Sequence, residues 1–248
     1  MCKDLLQFLR IYPGKFFDTC FLFFTNAIVF TYFLPQSGLS EDYGPFIVID
    51  ANASFGLFEI VGQVAELIVD LDGDRTINFT LSMPIPPWLV FVQLALKWAL
   101  TTILLCTPLF FVGKLLVWNR FSLSQINYFQ LLLIYPTLCL FFGLFSLWLT
   151  SIIQKVINIS SLFLRFINSL FMFGAYFYSW ESIYSLSPTL GYISLLNPMV
   201  YVMEGVRAAA RGQEGYLPFW ISFFVLWGFN LSMGATAVSR LKKRLDCV

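Results

Sequence analysis

The sequence predicts an all-α, polytopic membrane protein, and its composition supports this prediction in two ways. Of the 248 residues, 58% are hydrophobic and only 12% are charged, whereas soluble domains average about 25% charged residues. The 29 Phe residues equal the number of charged residues, which are 15 Lys and Arg plus 14 Asp and Glu. So few solubilising groups exclude an ordinary soluble domain. Disorder, collagen and coiled coil are excluded as well, because each needs a polar or repetitive composition.

The net charge and the missing residue types exclude several functions. A net charge of +1 provides no strong field for nucleic acid. The chain has no His, and His is the commonest metal ligand and general base. The five Cys residues include no CxxC pair, so we expect them to be packing residues. We therefore expect no metal site and no catalytic residue in this chain.

Apolar stretches divide the chain into six predicted transmembrane helices, because one span needs roughly 20 mostly apolar residues. The whole chain, residues 1–248, is interpreted as a single membrane domain. The predicted spans are 16–34, 46–69, 88–112, 126–150, 161–184 and 217–238. Nine Lys and Arg residues fall on the side that holds both termini and four on the other. This asymmetry predicts that both termini are cytoplasmic.

Span two carries polar residues on one helical face. Such residues are expensive inside a membrane, so they are candidates for a functional site. Intervals of 4, 3, 4, 3 and 4 residues place them on one side of a helix. This polar stripe consists of Asn52, Gly56, Glu59, Gln63, Glu66 and Asp70. Because it cannot face lipid, we expect it to face other helices, a partner subunit or a water-filled path.

Two basic residues inside spans lie at depths that match two acids of the stripe. We predict that Glu66 pairs with Arg165, and that Glu59 pairs with Lys97, since paired charges cost less than lone ones. In the alternative, the two basic side chains extend to the membrane surface and the acids are neutral or hydrated. This charge network serves either structural cohesion or a proton relay.

The segment 70–87, between spans two and three, predicts a short helix outside the membrane. Asp70, Asp72 and Asp74 can cap a helix that runs from about Arg75 to Leu81. Three prolines then end this helix and begin the next span. A short helix that projects into the cytoplasm between two spans is suited to docking a soluble partner.

The segment 185–216 is too polar to span and too apolar for a simple loop. Asn197-Pro198 marks a helix start, with Pro at the first helical position, and Gly212 marks its end. Met199, Val202 and their periodic neighbours form an apolar side. A charged side consists of Glu204, Arg207 and Arg211. This pattern predicts an amphipathic helix in a re-entrant hairpin at the outer membrane face.

Residues in these two segments resemble those of a known transporter family. Asn197-Pro198, Tyr201, Glu204-Gly205 and Arg207, just before the last span, resemble the signature of type-2 ABC transporter permeases. These are the export permeases of polysaccharide, lipid and drug transporters. The stretch from Asp74-Arg75-Thr76 to Ser82-Met83-Pro84 resembles their coupling helix, although many members have a more basic run at Asp74-Arg75. The span count, the termini and the length agree, so the resemblance covers essentially the whole chain.

The resemblance implies a permease without ATPase activity of its own, and the chain has no GxxxxGK[ST] motif. Two permease subunits, identical or related, would pair with two copies of a separate subunit that binds ATP and Mg. The residues implied in coupling to that ATPase are Asp72, Asp74, Arg75, Thr76, Ile77, Phe79 and Leu81. The implied outer gate consists of Asn197, Pro198, Tyr201, Glu204 and Arg207. The implied location is a bacterial inner membrane, where lipid, polysaccharide or glycolipid, or hydrophobic drug is exported by alternating access.

Three other classes remain open at the level of sequence, and one of them is a purely structural membrane subunit. A secondary transporter driven by an ion gradient would use Asp50, Glu59 and Glu66 in span two, but the inverted repeats that would support it are not visible. A lipid-modifying enzyme would need a convergent acid and base set, which dispersed carboxylates without His do not provide.

Overall fold

The computed structural model describes residues 2–38, 40, 43–73, 76–82, 84, 86–117, 126–153 and 156–246. These residues form helices joined by turns and contain no strand, which confirms the predicted all-α class. The α-helices are α1 (Cys2–Ile28), α2 (Leu34–Gln36), α3 (Tyr43–Asp72), α4 (Thr76–Leu81), α5 (Pro87–Leu116), α6 (Tyr128–Ile152), α7 (Ile159–Leu162), α8 (Asn168–Met172), α9 (Trp180–Leu186), α10 (Pro188–Ser194), α11 (Pro198–Arg211) and α12 (Phe219–Asp246). Two π-helical turns, Val29–Phe33 and Phe163–Ile167, join α1 to α2 and α7 to α8, and a 3₁₀ turn, Val156–Asn158, precedes α7.

Among the described residues, four helices are long and apolar enough to cross a membrane. They are Tyr12–Gln36, Pro87–Leu116, Tyr128–Ile152 and Phe219–Arg244. The helix α3 has 30 residues but is not one of these four, and the apolar stretch Ile159–Met172 is shorter. These findings fit a multi-pass membrane protein, and the number of six spans stays a prediction.

The predicted fifth span, 161–184, is not one helix in the structure. The helical stretch ends at Met172, turns and bends occupy 173–178, and α9 begins at Trp180. Ala175 has a φ of +62°, a backbone conformation that non-glycine residues seldom adopt and that no helix continues through. The apolar sequence runs on past this point, so composition alone did not reveal the break.

The helix α6 lies at the centre of the bundle. It packs against α3, α5, α11 and α12, and most of its second half is buried. Asn127 caps its first turn by accepting a hydrogen bond from the Gln130 backbone N–H at 3.2 Å. Glycine permits close helix approach here, because a Cβ on Gly143 would lie 2.5 Å from the carbonyl oxygen of Ala95 on α5. The central helices are therefore in close contact.

The bundle has two ends that differ in the residues they hold. Asp50 of α3 and Arg207 of α11 lie together at one end, here called the Arg207 end. At the other, here called the Asp70 end, α4 follows the last turn of α3. A second, smaller core cluster lies there and includes Leu67, Ile77, Trp98 and Leu241. The large core cluster fills the rest of the bundle.

Candidate functional site

The largest fully buried side chain of the described residues is an arginine, Arg207 of α11. Its side chain and those of Asp50 and Glu204 are 0% exposed. We call these three residues the Arg207 cluster. A buried charge is costly unless it is paired and hydrogen-bonded, so the partners of this arginine decide what the cluster can do.

Asp50 binds one edge of the Arg207 guanidinium. Nε donates to both carboxylate oxygens of Asp50, at 2.8 Å to Oδ1 and 3.0 Å to Oδ2, and Nη2 donates to Oδ2 at 2.5 Å. Two-point contact of this kind is the strongest geometry between Arg and a carboxylate. The ring of Phe46 lies against the same guanidinium, with 3.9 Å between Cζ and the ring centroid. Helices α3 and α11 are therefore joined by a charged and directional contact.

The remaining donors of Arg207 bind the chain around the cluster. Nη1 donates to Glu204 Oε1 at 2.9 Å and to the carbonyl oxygen of Tyr178 at 3.0 Å. Nη2 also donates to the carbonyl oxygen of Ala175. A guanidinium has five N–H donors, so each has an acceptor. Arg207 is thus fully satisfied within the chain.

Glu204 connects three segments of the chain. Besides Arg207, its Oε1 accepts the backbone N–H of Trp180 at 2.9 Å, and its Oε2 accepts the backbone N–H of Leu217 at 2.9 Å. Trp180 begins α9, and Leu217 lies two residues before α12. One carboxylate therefore fixes the start of α9 and the entrance to the last helix relative to α11.

The turn between α8 and α9 is organised around the same cluster. Arg207 binds the carbonyls of Ala175 and Tyr178, and the Tyr43 hydroxyl on α3 donates to the carbonyl of Phe177 at 2.6 Å. These contacts explain how Ala175 is held at a positive φ. A strained residue of this kind persists where its surroundings determine its conformation.

The predicted amphipathic helix is α11, and its charged side is largely buried. Every residue from Pro198 to Ala210 is buried in α11. The charged side of the helix faces Asp50 and the turn at 173–178 instead of solvent, because those groups satisfy its charges. Arg211, one turn after Arg207, is only partly buried.

The predicted boundaries of this helix are confirmed. Asn197 is the N-cap residue and accepts the Met199 backbone N–H at 2.9 Å, with Pro198 at the first helical position. Its amide also donates to the carbonyl of Leu170 in α8, at 2.9 Å. Gly212 ends the helix with a φ of +96°, as favoured for glycine after a helix. Tyr201 is buried, and its ring lies near Phe229 of α12.

From Asn52 to Gln63 the polar stripe of α3 faces other helices, which confirms one of the predicted environments for this part, whereas Glu66 is exposed. Asn52 accepts a hydrogen bond from the Tyr135 hydroxyl at 2.9 Å and donates to the carbonyl of Cys106 at 3.1 Å. Gln63 accepts from the Ser146 hydroxyl at 2.6 Å. Two of these three partners, Tyr135 and Ser146, belong to α6. This part of the stripe therefore joins α3 to the centre of the bundle.

Both predicted ion pairs of the charge network are wrong in their partners. Glu59 pairs with Lys15 of α1 at 2.9 Å, and Glu66 pairs with Lys97 of α5 at 3.5 Å. The sequence interpretation placed Lys15 outside the first span, but α1 packs beside α3 at this level. Arg165 is exposed and makes no ion pair with the described residues. Whether this network has a mechanistic role stays a prediction.

The predicted coupling segment contains the expected short helix. The α4 helix spans Thr76–Leu81, and Asp70 Oδ2 accepts the backbone N–H of Ile77 at 2.9 Å. Ile77 is buried in the small core cluster, whereas Phe79 is 68% exposed. Leu81 packs at the border of the cluster. Asp74 and Arg75, and the side chains of Asp72 and Thr76, lie outside the described residues.

Sequence reasoning missed Asp50 as a member of the site. It belongs to span two, but it lies two residues before Asn52 and so on a different face of the helix from the polar stripe. An acid that lies off the stripe needs a basic partner on another helix. This requirement was the signal from which the role of Asp50 could have been found. In the described residues no group of three or more His, Cys, Asp or Glu could hold a metal ion. The described cysteines, Cys20, Cys106 and Cys139, are free thiols.

Comparison of this chain with protein-family models, with curated proteins and with solved structures finds no match. The described residues form a fully hydrogen-bonded charged cluster at one end of the bundle and a short helix with an exposed Phe at the other.

Proposed function

We propose that this chain is the transmembrane permease subunit of an ATP-driven ABC exporter. It would carry no ATPase activity itself. Two such subunits, identical or related, would pair with two copies of a subunit that binds ATP and Mg. The cargo class is lipid, polysaccharide or glycolipid, or hydrophobic drug, moved by alternating access. The proposal includes six spans, an outer re-entrant hairpin, cytoplasmic termini and a bacterial inner membrane.

The observation that carries this proposal is the contrast between the two faces of α4. Ile77 anchors the helix in the small core cluster, and Asp70 caps it. Phe79 projects from the same six-residue helix into the surroundings. A short helix that is fixed on one face and apolar on the other can bind a partner and pass a force to α3. A coupling helix must perform both of these functions.

The test measures binding to a candidate ATP-binding subunit. Phe79→Ala removes the exposed ring and is expected to weaken binding at least tenfold, because a buried aromatic anchor contributes about 1.4 kcal/mol or more. ATP hydrolysis stimulated by the permease should fall in parallel. The matched control is Phe129→Ala, which removes a similarly exposed ring from the first turn of α6 and should leave binding unchanged.

Two results would contradict the proposal. In the first, Phe79→Ala and Phe129→Ala have equal effects on binding. In the second, transport persists without any ATPase and collapses with the proton gradient, which would favour the ion-driven alternative. That alternative receives less support from the structure, because Asp50, Glu59 and Glu66 are each bonded to a basic residue.

A further inference from the structure

Helix α3 carries a bonded aspartate near each of its ends. Near its first turn, Asp50 binds Arg207, and near its last turn Asp70 binds the α4 backbone. The two residues are 20 positions apart (70 − 50 = 20) in one continuous helix, Tyr43–Asp72. At 1.5 Å per residue, this separation is about 30 Å along the axis. One helix therefore connects the coupling segment to the Arg207 cluster.

Asp50 determines where the other donors of Arg207 point. Its carboxylate holds the Nε and Nη2 edge of the guanidinium. Because the guanidinium is planar and rigid, fixing one edge also fixes the direction of the remaining N–H donors, on Nη1 and Nη2. Those donors reach the carbonyls of Ala175 and Tyr178. Without Asp50 the guanidinium plane of Arg207 is free to rotate about the side-chain bonds. The turn at 173–178 would then lose the hydrogen-bond donors that hold its backbone in place.

We propose that Asp50 is a positioning residue, which acts through Arg207 to fix the segment 173–196 to α3. This segment, called the hairpin segment, contains the turn at 173–178 and the helices α9 and α10. The polar stripe ties α3 to α6 and the other helices, so the hairpin segment moves as one body with the bundle. Asp50 is not part of the sequence signature that implies the outer gate. The positioning role adds Asp50 to the residues of that gate.

A second consequence depends on the proposed function. If α4 receives a force from an ATP-binding subunit, the force reaches the hairpin segment through α3 and the Asp50–Arg207 contact. Loss of this contact should uncouple ATP hydrolysis from transport. The positioning role itself needs no partner subunit, so the two claims can fail separately.

The positioning role is tested by a distance measurement on the full chain in lipid nanodiscs. Spin labels are attached at Leu186→Cys on α9 and Leu115→Cys on α5, where both native side chains are largely exposed. Cys2, Cys20 and Cys247 are replaced by Ser, whereas Cys106 and Cys139 are buried and stay. We expect a narrow distribution of label distances in the parent chain and at least a twofold broader one in Asp50→Asn.

A matched control separates positioning from general loosening of α3. Tyr135→Phe removes the hydrogen bond to Asn52, which is close to Asp50 on the same helix, and should keep the narrow distribution. Arg207→Lys is the second variant if Asp50→Asn does not fold. It keeps the charge but has three donors instead of five, and it should also broaden the distribution. Equal widths in the parent and the Asp50 or Arg207 variant, or equal broadening in Tyr135→Phe, would overturn the proposal.

The uncoupling is tested with the ATP-binding subunit present. Asp50→Asn is expected to lower the amount of cargo moved per ATP hydrolysed at least fivefold, while Tyr135→Phe keeps the parent ratio. An unchanged ratio together with a broadened label distance would refute the coupling role and leave the positioning role in place. If no ATP-binding subunit associates, the proposed function fails, and the label distances still decide the role of Asp50.

Discussion

Asp50 and Glu66 are two acids of one helix, both paired with a basic residue, yet their environments are opposite. Asp50 is 0% exposed and binds Arg207 at 2.5 Å, whereas the Glu66 side chain is 63% exposed and lies 3.5 Å from Lys97. The first pair is closed on all sides by backbone groups and the Phe46 ring. The second is at the surface of the bundle. An acidic residue of α3 therefore identifies a candidate site only when the groups around its side chain are known.

The difference also separates two uses of charge in this chain. At the Arg207 end, ionic groups determine the path of the backbone between α8 and α12 through directional bonds. Further along α3, Glu59 and Glu66 pair with long flexible lysine side chains. Arginine suits the first use because its planar fork binds several acceptors at fixed angles, which lysine cannot do. We expect the consequences of mutation to follow this division.

The largest effect is expected at Arg207. Arg207→Met leaves the buried carboxylates of Asp50 and Glu204 without their cation, and breaking a buried pair in this way costs about 3–5 kcal/mol. The midpoint of thermal unfolding in detergent should fall sharply, with a large loss of folded protein. Arg211→Met is the control, because Arg211 belongs to the same helix but is only partly buried. Similar losses in both variants would show that the cluster is no more important than an ordinary charge on α11.

An intermediate effect is expected where α3 meets α6. A Cβ on Gly56 would lie 2.1 Å from the ring of Phe142, so Gly56→Ala overpacks this contact at a cost of about 1–3 kcal/mol. Gly62→Ala is the matched control on the same helix, because nothing lies within 4 Å of its Cβ position. It should be neutral or stabilise the helix by up to about 1 kcal/mol. Thermal midpoints that shift in the same direction would contradict the close contact between α3 and α6.

Sequence reasoning succeeded where the cause of a feature is local. The cap at Asn197, the helix end at Gly212 and the cap of α4 by Asp70 follow from neighbouring residues. The face of the polar stripe follows from helical periodicity. These features need no knowledge of which helices are neighbours.

The parts that escaped prediction depend on residues far apart in the chain. Asp50 and Arg207 are 157 positions apart, and Arg207 binds the turn at 173–178 that interrupts the predicted fifth span. Matched depth in the membrane favours Lys97 as the partner of Glu59 and places Lys15 outside the first span, whereas the structure pairs Glu59 with Lys15. Depth does not say which helices are adjacent. The buried charged side of α11 had the same origin, since periodicity shows that a side is charged but not what covers it.

The smallest effect is expected at Glu66. Glu66→Gln removes one charge from a pair that is largely exposed, and such pairs contribute about 0.2–1 kcal/mol. The thermal midpoint should therefore shift far less than in Arg207→Met, and Lys97→Gln should behave like Glu66→Gln because the same pair is removed. A large loss in both variants, of the size expected for Arg207→Met, would mean that this surface is covered in the assembled protein. Glu66 would then be exposed only in the single chain. In the assembled protein, the charge network would be part of an interface with a partner subunit.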